Sequence, residues 1–259
     1  MIVVVHHLFS LNVDQLKAVI SPFLFSSLAW LSEKNVAAVL FFFVVSGFSI
    51  GLSLHNKSLI DKTSVNEYLY RRAKRILPIY WLALALSLLI SILVPTIRNP
   101  SFSSYNLIGN LLFLQTPEVV KAWFIPYGNN GPLWSLSYEF FFYLLAIPTI
   151  IISVKRKLSP AVLIISFVLI SILMIGFNHV FANPLSAFLI LYPIWLTGYI
   201  LSQLYLKKSF NKAYFMIVMI IFVFLEILNS HYIKSSSINV LILGIAISLL
   251  CSAIYMLYQ

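Results

Sequence analysis

Charge is scarce in this 259-residue chain: only 9% of its residues are charged, and Asp and Glu together number seven. A soluble domain is about a quarter charged, so a water-exposed globular surface is excluded. Cysteine occurs once, at Cys251, which excludes an internal disulfide and a Cys-rich metal site. The thiol lies in an apolar run, where a buried and inert state is expected. A basic segment ahead of the first apolar run is also missing, so no cleavable signal peptide is expected. The alternating ten-residue pattern of a lipid-facing β-barrel is absent. Internal repeats, low-complexity tracts and long polar linkers are absent too, which points to one membrane domain over residues 1–259.

What remains is apolar. Hydrophobic residues make up 61% of the chain, and the mean hydropathy is +0.98. The expected fold is all-α, a polytopic transmembrane bundle. A spanning helix needs about 20 mostly apolar residues. A short apolar start at 1–12 is followed by runs at 36–55, 76–94, 133–152, 161–178, 184–205, 213–230 and 236–258, eight in all. The stretch "SYNLIGNLLFLQT" at 104–116 is short and polar, and reads as an interfacial or re-entrant helix.

The formal net charge is +10, but no compact basic domain is present, so nucleic acid is not an expected partner. With the N-terminus cytoplasmic, the inner loops hold Lys57, Lys62, Arg71, Arg72, Lys74, Arg75, Lys155, Arg156, Lys157, Lys207, Lys208 and Lys212. Only Lys17, Lys34, Arg98, Lys121 and Lys234 then lie outside. This is the positive-inside bias, and the excess faces anionic membrane lipid.

Ionisable groups at membrane depth are costly and mark functional candidates. His6 and His7 interrupt the apolar start, in "VVVHHLF", toward the outer end of the first helix. Glu139 lies about two turns into the helix that begins near Pro132, also in the outer half. An imidazole and a carboxylate at matched depth can form a general base held in one tautomer, or a polar pair that joins two helices. Arg72 and Arg75 stand three apart on a basic helix flank, where both guanidiniums can converge on one phosphate. The same residues can serve only to orient the chain. Pro78, one turn later, is expected to kink the helix. Glu226 has only the generic argument. Ser46 lacks an apparent base, and Ser46, Gly47 and Gly51 read as a close-packing surface. "GNNGP" at 128–132 is turn chemistry.

In this order, "VVVHHLF" (3–9), "AVLFFFVVSGFSI" (38–50), "YLYRRAKRILPIYWL" (68–82), "GPLWSLSYEFFFYLL" (131–145) and "FLILYPIWLTGYI" (188–200) resemble the membrane acyltransferase 3 family. That family includes bacterial polysaccharide and O-antigen O-acetylases. The resemblance covers about residues 1 to 205. It implies a ten-helix fold, of which eight spans are counted here, and a basic residue eleven positions before the catalytic histidine, which falls ahead of Met1. The chain is therefore expected to be incomplete at both ends, with its own activity in question.

The resemblance implies that His7, ahead of His6, is the catalytic histidine, that Glu139 is the family's glutamate, and that Arg72 and Arg75 form the R-x-x-R motif near acyl-CoA. No permanently bound cofactor or metal is implied; acetyl-CoA is a co-substrate. The implied activity is transfer of an acetyl or other acyl group to a hydroxyl of a cell-surface or lipid-linked saccharide at the inner membrane, as in lipopolysaccharide modification. A transporter or polysaccharide-export component, which also carries intramembrane ionisable pairs and broken helices, and an inactive acyltransferase fragment are the competing expectations.

Overall fold

The structure, a computed structural model, describes residues 2–54, 62–94, 100–117, 123–206, 242–244 and 246–247. Among the described residues there is no strand, only one isolated bridge between Gln115 and Phe124. Five helical stretches are long and apolar enough to cross a membrane: Pro22–Ser53, Thr63–Leu93, Leu133–Lys155, Pro160–Val180 and Pro184–Leu206. The chain is an all-α polytopic bundle. Of the expected spans, 213–230 lies outside the described residues, as does most of 236–258.

The N-terminal part holds α1 (Ile2–Leu11), α2 (Val13–Val19), α3 (Pro22–Glu33) and α4 (Asn35–Ser53). At ten residues, α1 rises about 15 Å, half of a hydrocarbon layer. It folds back against α3, with Phe9 on Phe25 at 5.3 Å between ring centroids and His6 Nδ1 2.9 Å from Ser32 Oγ. The helix α3 was not among the expected elements, because serines 26, 27 and 32 break its apolar run. Local chemistry starts it all the same. The Ser21 hydroxyl accepts from the Leu24 N–H at 3.4 Å and Pro22 opens the first turn, a favoured start.

The next helix, α5 (Lys62–Leu93), has 32 residues and rises about 48 Å, well beyond the roughly 30 Å hydrocarbon core. It fuses the basic segment to the apolar run expected from residue 76. Pro78 lies inside it and does not end it. Then comes α6 (Ser104–Leu111), about 12 Å long and too short to cross, as expected for 104–116. The chain reverses at Phe113, which has φ 59°, a left-handed conformation uncommon for a bulky residue. Its ring is held between Tyr80 and Phe140, with centroids 4.0 and 4.3 Å away. Side-chain amides tie the two arms of this re-entrant hook together. Asn110 Nδ2 donates to the Ile125 carbonyl at 2.8 Å, and Asn110 Oδ1 accepts from the Tyr127 N–H at 3.1 Å.

Three spanning helices follow: α7 (Leu133–Lys155), α8 (Pro160–Val180) and α9 (Pro184–Leu206). The most buried is α9, whereas α8 is mostly exposed along the bundle surface. Glycine brings α4 against α9. A Cβ at Gly47 would stand 2.0 Å from the Trp195 carbonyl oxygen, and one at Gly198 2.0 Å from that of Val44. This is the close packing expected of Gly47 and Gly51. Around the seam Phe43, Tyr138, Phe142, Phe188, Tyr192 and Trp195 form an aromatic core, each at most 1% exposed.

Paired contacts fix the directions. Along α5, Tyr68 bonds the Tyr143 carbonyl, Tyr80 bonds the Asn110 carbonyl, and Ser87 accepts from Asn130. Thus α5 runs antiparallel to α7, and the bundle has two distinct ends, one marked by Arg72 and the other by the turn at 128–132.

Candidate functional site

Glu139 sits inside the bundle with 2% of its surface exposed. A buried carboxylate costs several kcal/mol in lost hydration unless donors and opposite charge surround it. Two hydroxyls supply donors. Ser46 on α4 donates to Glu139 Oε1 at 3.1 Å, and Tyr143, one turn along α7, donates to the same oxygen. Ser46 and Tyr143 hydroxyls are themselves 3.1 Å apart, and the Trp195 indole N–H donates to Ser46 at 3.4 Å. Four residues from α4, α7 and α9 therefore share one polar node.

Positive charge lies just beyond it. The Arg72 guanidinium carbon is 5.7 Å from the ring centres of both Tyr68 and Tyr143, within cation–π range. Arg72 Nη2 donates to Ser53 Oγ at 3.2 Å. Arg72 Nε is buried and has no hydrogen-bond partner among the described residues. Arg75, one turn further along α5, is exposed. The neighbouring Arg71 is instead paired with Glu67 one turn back on α5. The structure thus brings Glu139 and Arg72 against Tyr143.

His7 lies elsewhere. Its Cε1 would stand 3.1 Å from a Cβ added at Gly131, so the imidazole rests on the backbone just ahead of α7. A larger residue than glycine would push the ring away. His6 packs edge-on against His7 at 5.2 Å between centroids, but is held toward α3 by Ser32. Of the two imidazoles, His7 is the one against the turn that opens α7.

The equal depth expected for His7 and Glu139 is not what the fold produces. From Leu133, Glu139 lies about 9 Å further along α7, and among the described residues no hydrogen bond or ion pair joins it to His7. The reason is geometric: α1 meets α7 before its first turn, whereas Glu139 faces the middle of α4. Ser46 and Tyr143 were not among the expected site residues. Tyr143 had a readable signal, since residues four apart share a helix face. Glu226 lies outside the described residues, and among those described no cluster of His, Cys, Asp and Glu can hold a metal.

Between the two ends runs a polar file. Gln115 Nε2 donates to the Tyr80 hydroxyl at 2.8 Å and to the Leu133 carbonyl at 2.9 Å. Ser137 Oγ donates to the Gln115 carbonyl at 2.9 Å. On α5, Tyr80 lies about 12 Å and Ser87 about 22 Å along from Arg72. Cation, carboxylate node, amide and imidazole are therefore ranged along α7 in that order.

Neither a curated protein nor a solved structure matches the chain. A family model described as an acyltransferase domain matches residues 1–259. With that match over the whole length of an all-α membrane bundle, the chain belongs to the acyltransferase 3 family.

Proposed function

We propose that this membrane acyltransferase takes its acyl group from acyl-CoA and passes it to a hydroxyl of a cell-surface or lipid-linked saccharide. The separation of the arginine end from the histidine end carries the reading. Between the levels of Arg72 and Ser87, which bonds Asn130 beside the His7 turn, α5 rises about 22 Å. An extended phosphopantetheine arm has this reach from phosphate to thioester. Arg72, with an unpartnered Nε, and the exposed Arg75 suit the phosphates of CoA. The thioester then lies near His7.

At that end His7 serves in one of two ways. As a general base it takes the proton of the acceptor hydroxyl while that oxygen attacks the thioester carbonyl. The C–S bond then breaks, and the CoA sulfur leaves with the proton that the imidazolium returns. As a nucleophile it carries the acyl group between the two partners. Glu139 acts as a positioning residue: its carboxylate fixes the Tyr143 hydroxyl, whose ring lies against Arg72. The basic loops support an orientation with the Arg72 end and the N-terminus of α1 in the cytoplasm, where acyl-CoA is made, and the acceptor arriving from the far side.

The test is a transfer assay with radiolabelled acetyl-CoA in membranes holding the full-length protein. Label is expected to appear in saccharide. Arg72→Gln is expected to raise the KM for acetyl-CoA about tenfold, the weight of one hydrogen bond to a charged group. If acetyl-CoA neither donates label nor raises the thermal stability of the purified protein, the donor assignment is wrong.

A further inference from the structure

Two buried oxygens in the hook lack a hydrogen-bond partner among the described residues. Gln115 is 0% and Thr116 1% exposed, yet Gln115 Oε1 and Thr116 Oγ1 have no hydrogen-bond partner among the described residues. Such groups are rare in native proteins, and each costs about 1–3 kcal/mol when left unmade. Gln115 spends both amide protons on Tyr80 and Leu133, which leaves Oε1 as its free acceptor. The Thr116 N–H bonds the Phe124 carbonyl at 3.0 Å. Asn106 and Asn110 bind the returning arm, and Phe113 holds a left-handed backbone between two stacked rings. The fold thus fixes two unsatisfied oxygens on consecutive residues, and Gln115 is bonded to Tyr80, midway along α5 between Arg72 and the His7 turn.

A ligand that completes this pair must bring N–H or O–H donors into the interior of the bundle. We propose that Gln115 and Thr116 bind the amide N–H groups of the pantetheine arm and so hold the acyl donor in register between its phosphate and thioester ends. This rests on the acyl-CoA reading above. An acyl-CoA laid along the polar file puts amide groups at this level. A saccharide hydroxyl arriving at the His7 end has no need to penetrate so far.

The experiment uses Thr116→Val and Thr116→Ser in the full-length protein, with acetyl-CoA and ADP as probes, ADP lacking the pantetheine arm. Valine keeps the shape of threonine and removes the unpaired oxygen, so the ligand-free protein is expected to unfold at the same temperature or higher. Its KM for acetyl-CoA is expected to rise about three- to tenfold. Stabilisation by ADP and the KM for the acceptor should stay unchanged, and serine should restore the wild-type KM. A Thr116→Val variant with wild-type KM for acetyl-CoA overturns this inference and leaves the donor reading standing. A rise confined to the acceptor KM also overturns it, and assigns the oxygens to the saccharide. If the wild type itself is not stabilised by acetyl-CoA, the donor reading fails, and this inference with it.

Discussion

The Glu139 carboxyl is held inside the bundle, where Ser46 and Tyr143 both aim hydroxyls at one of its oxygens. Removing one donor leaves a buried lone pair unmet. Tyr143→Phe is therefore expected to destabilise the protein by about 1.5–3 kcal/mol, read from denaturant unfolding in detergent. It should also loosen Arg72, which loses the electron-rich phenol beside it, and so raise the KM for acetyl-CoA. His7 is set differently, by contact with a residue that has no side chain. A Cβ at Gly131 falls 3.1 Å from His7 Cε1, tight enough to displace the ring by a few tenths of an ångström. Gly131→Ala is expected to lower kcat about tenfold with little change in the unfolding midpoint. A kcat equal to wild type would show that the ring position is not critical. At this scale Glu139, Arg72 and His7 could be singled out as candidates in the sequence because charge and imidazole are so rare in the chain. Ser46 was not, because hydroxyl-bearing residues are common in the chain and only the packing of α4 on α7 selects it, whereas Tyr143 could have been found from its place one turn after Glu139.

Among the elements, the seam between α4 and α9 depends on missing side chains. Gly198→Ala would drive a methyl into the Val44 carbonyl at 2.0 Å and must part the helices, at an expected cost of about 1–3 kcal/mol. Gly176 on α8 has nothing within 4 Å of its added Cβ. Gly176→Ala is expected to be neutral or to stabilise by up to about 1 kcal/mol, the helix propensity gained. Thermal unfolding of the two variants side by side checks both. The long apolar helices could be read from hydropathy alone, and the short α6 from its polarity. Two features could not. The fusion of the basic segment into α5 is invisible to hydropathy, since charge at a membrane surface ends the apolar run without ending the helix. The helix α3 hides behind its serines, although the Ser21–Pro22 start was there to be read.

For the whole molecule, the arginine and histidine levels lie about 22 Å apart along the bundle. Arg72 and Arg75 lie toward one end and His7 at the other, with the buried polar groups of Glu139, Ser137 and Gln115 between them. The order of these groups along α7 could not come from sequence. Position along one helix fixes depth only relative to that helix, and where α1 meets α7 is decided by tertiary packing. The arrangement implies sidedness: the Arg72 end should face the compartment that holds acyl-CoA.

One measurement tests this most directly. Radiolabelled acetyl-CoA is supplied to sealed vesicles of opposite orientation, carrying the full-length wild type or His7→Ala, and label in the acceptor saccharide is counted. Label is expected only when acetyl-CoA reaches the Arg72 face. His7→Ala should cut transfer by about 100-fold or more while acetyl-CoA still stabilises the protein. Transfer at the wild-type rate without the His7 imidazole would contradict the assignment of the reacting end.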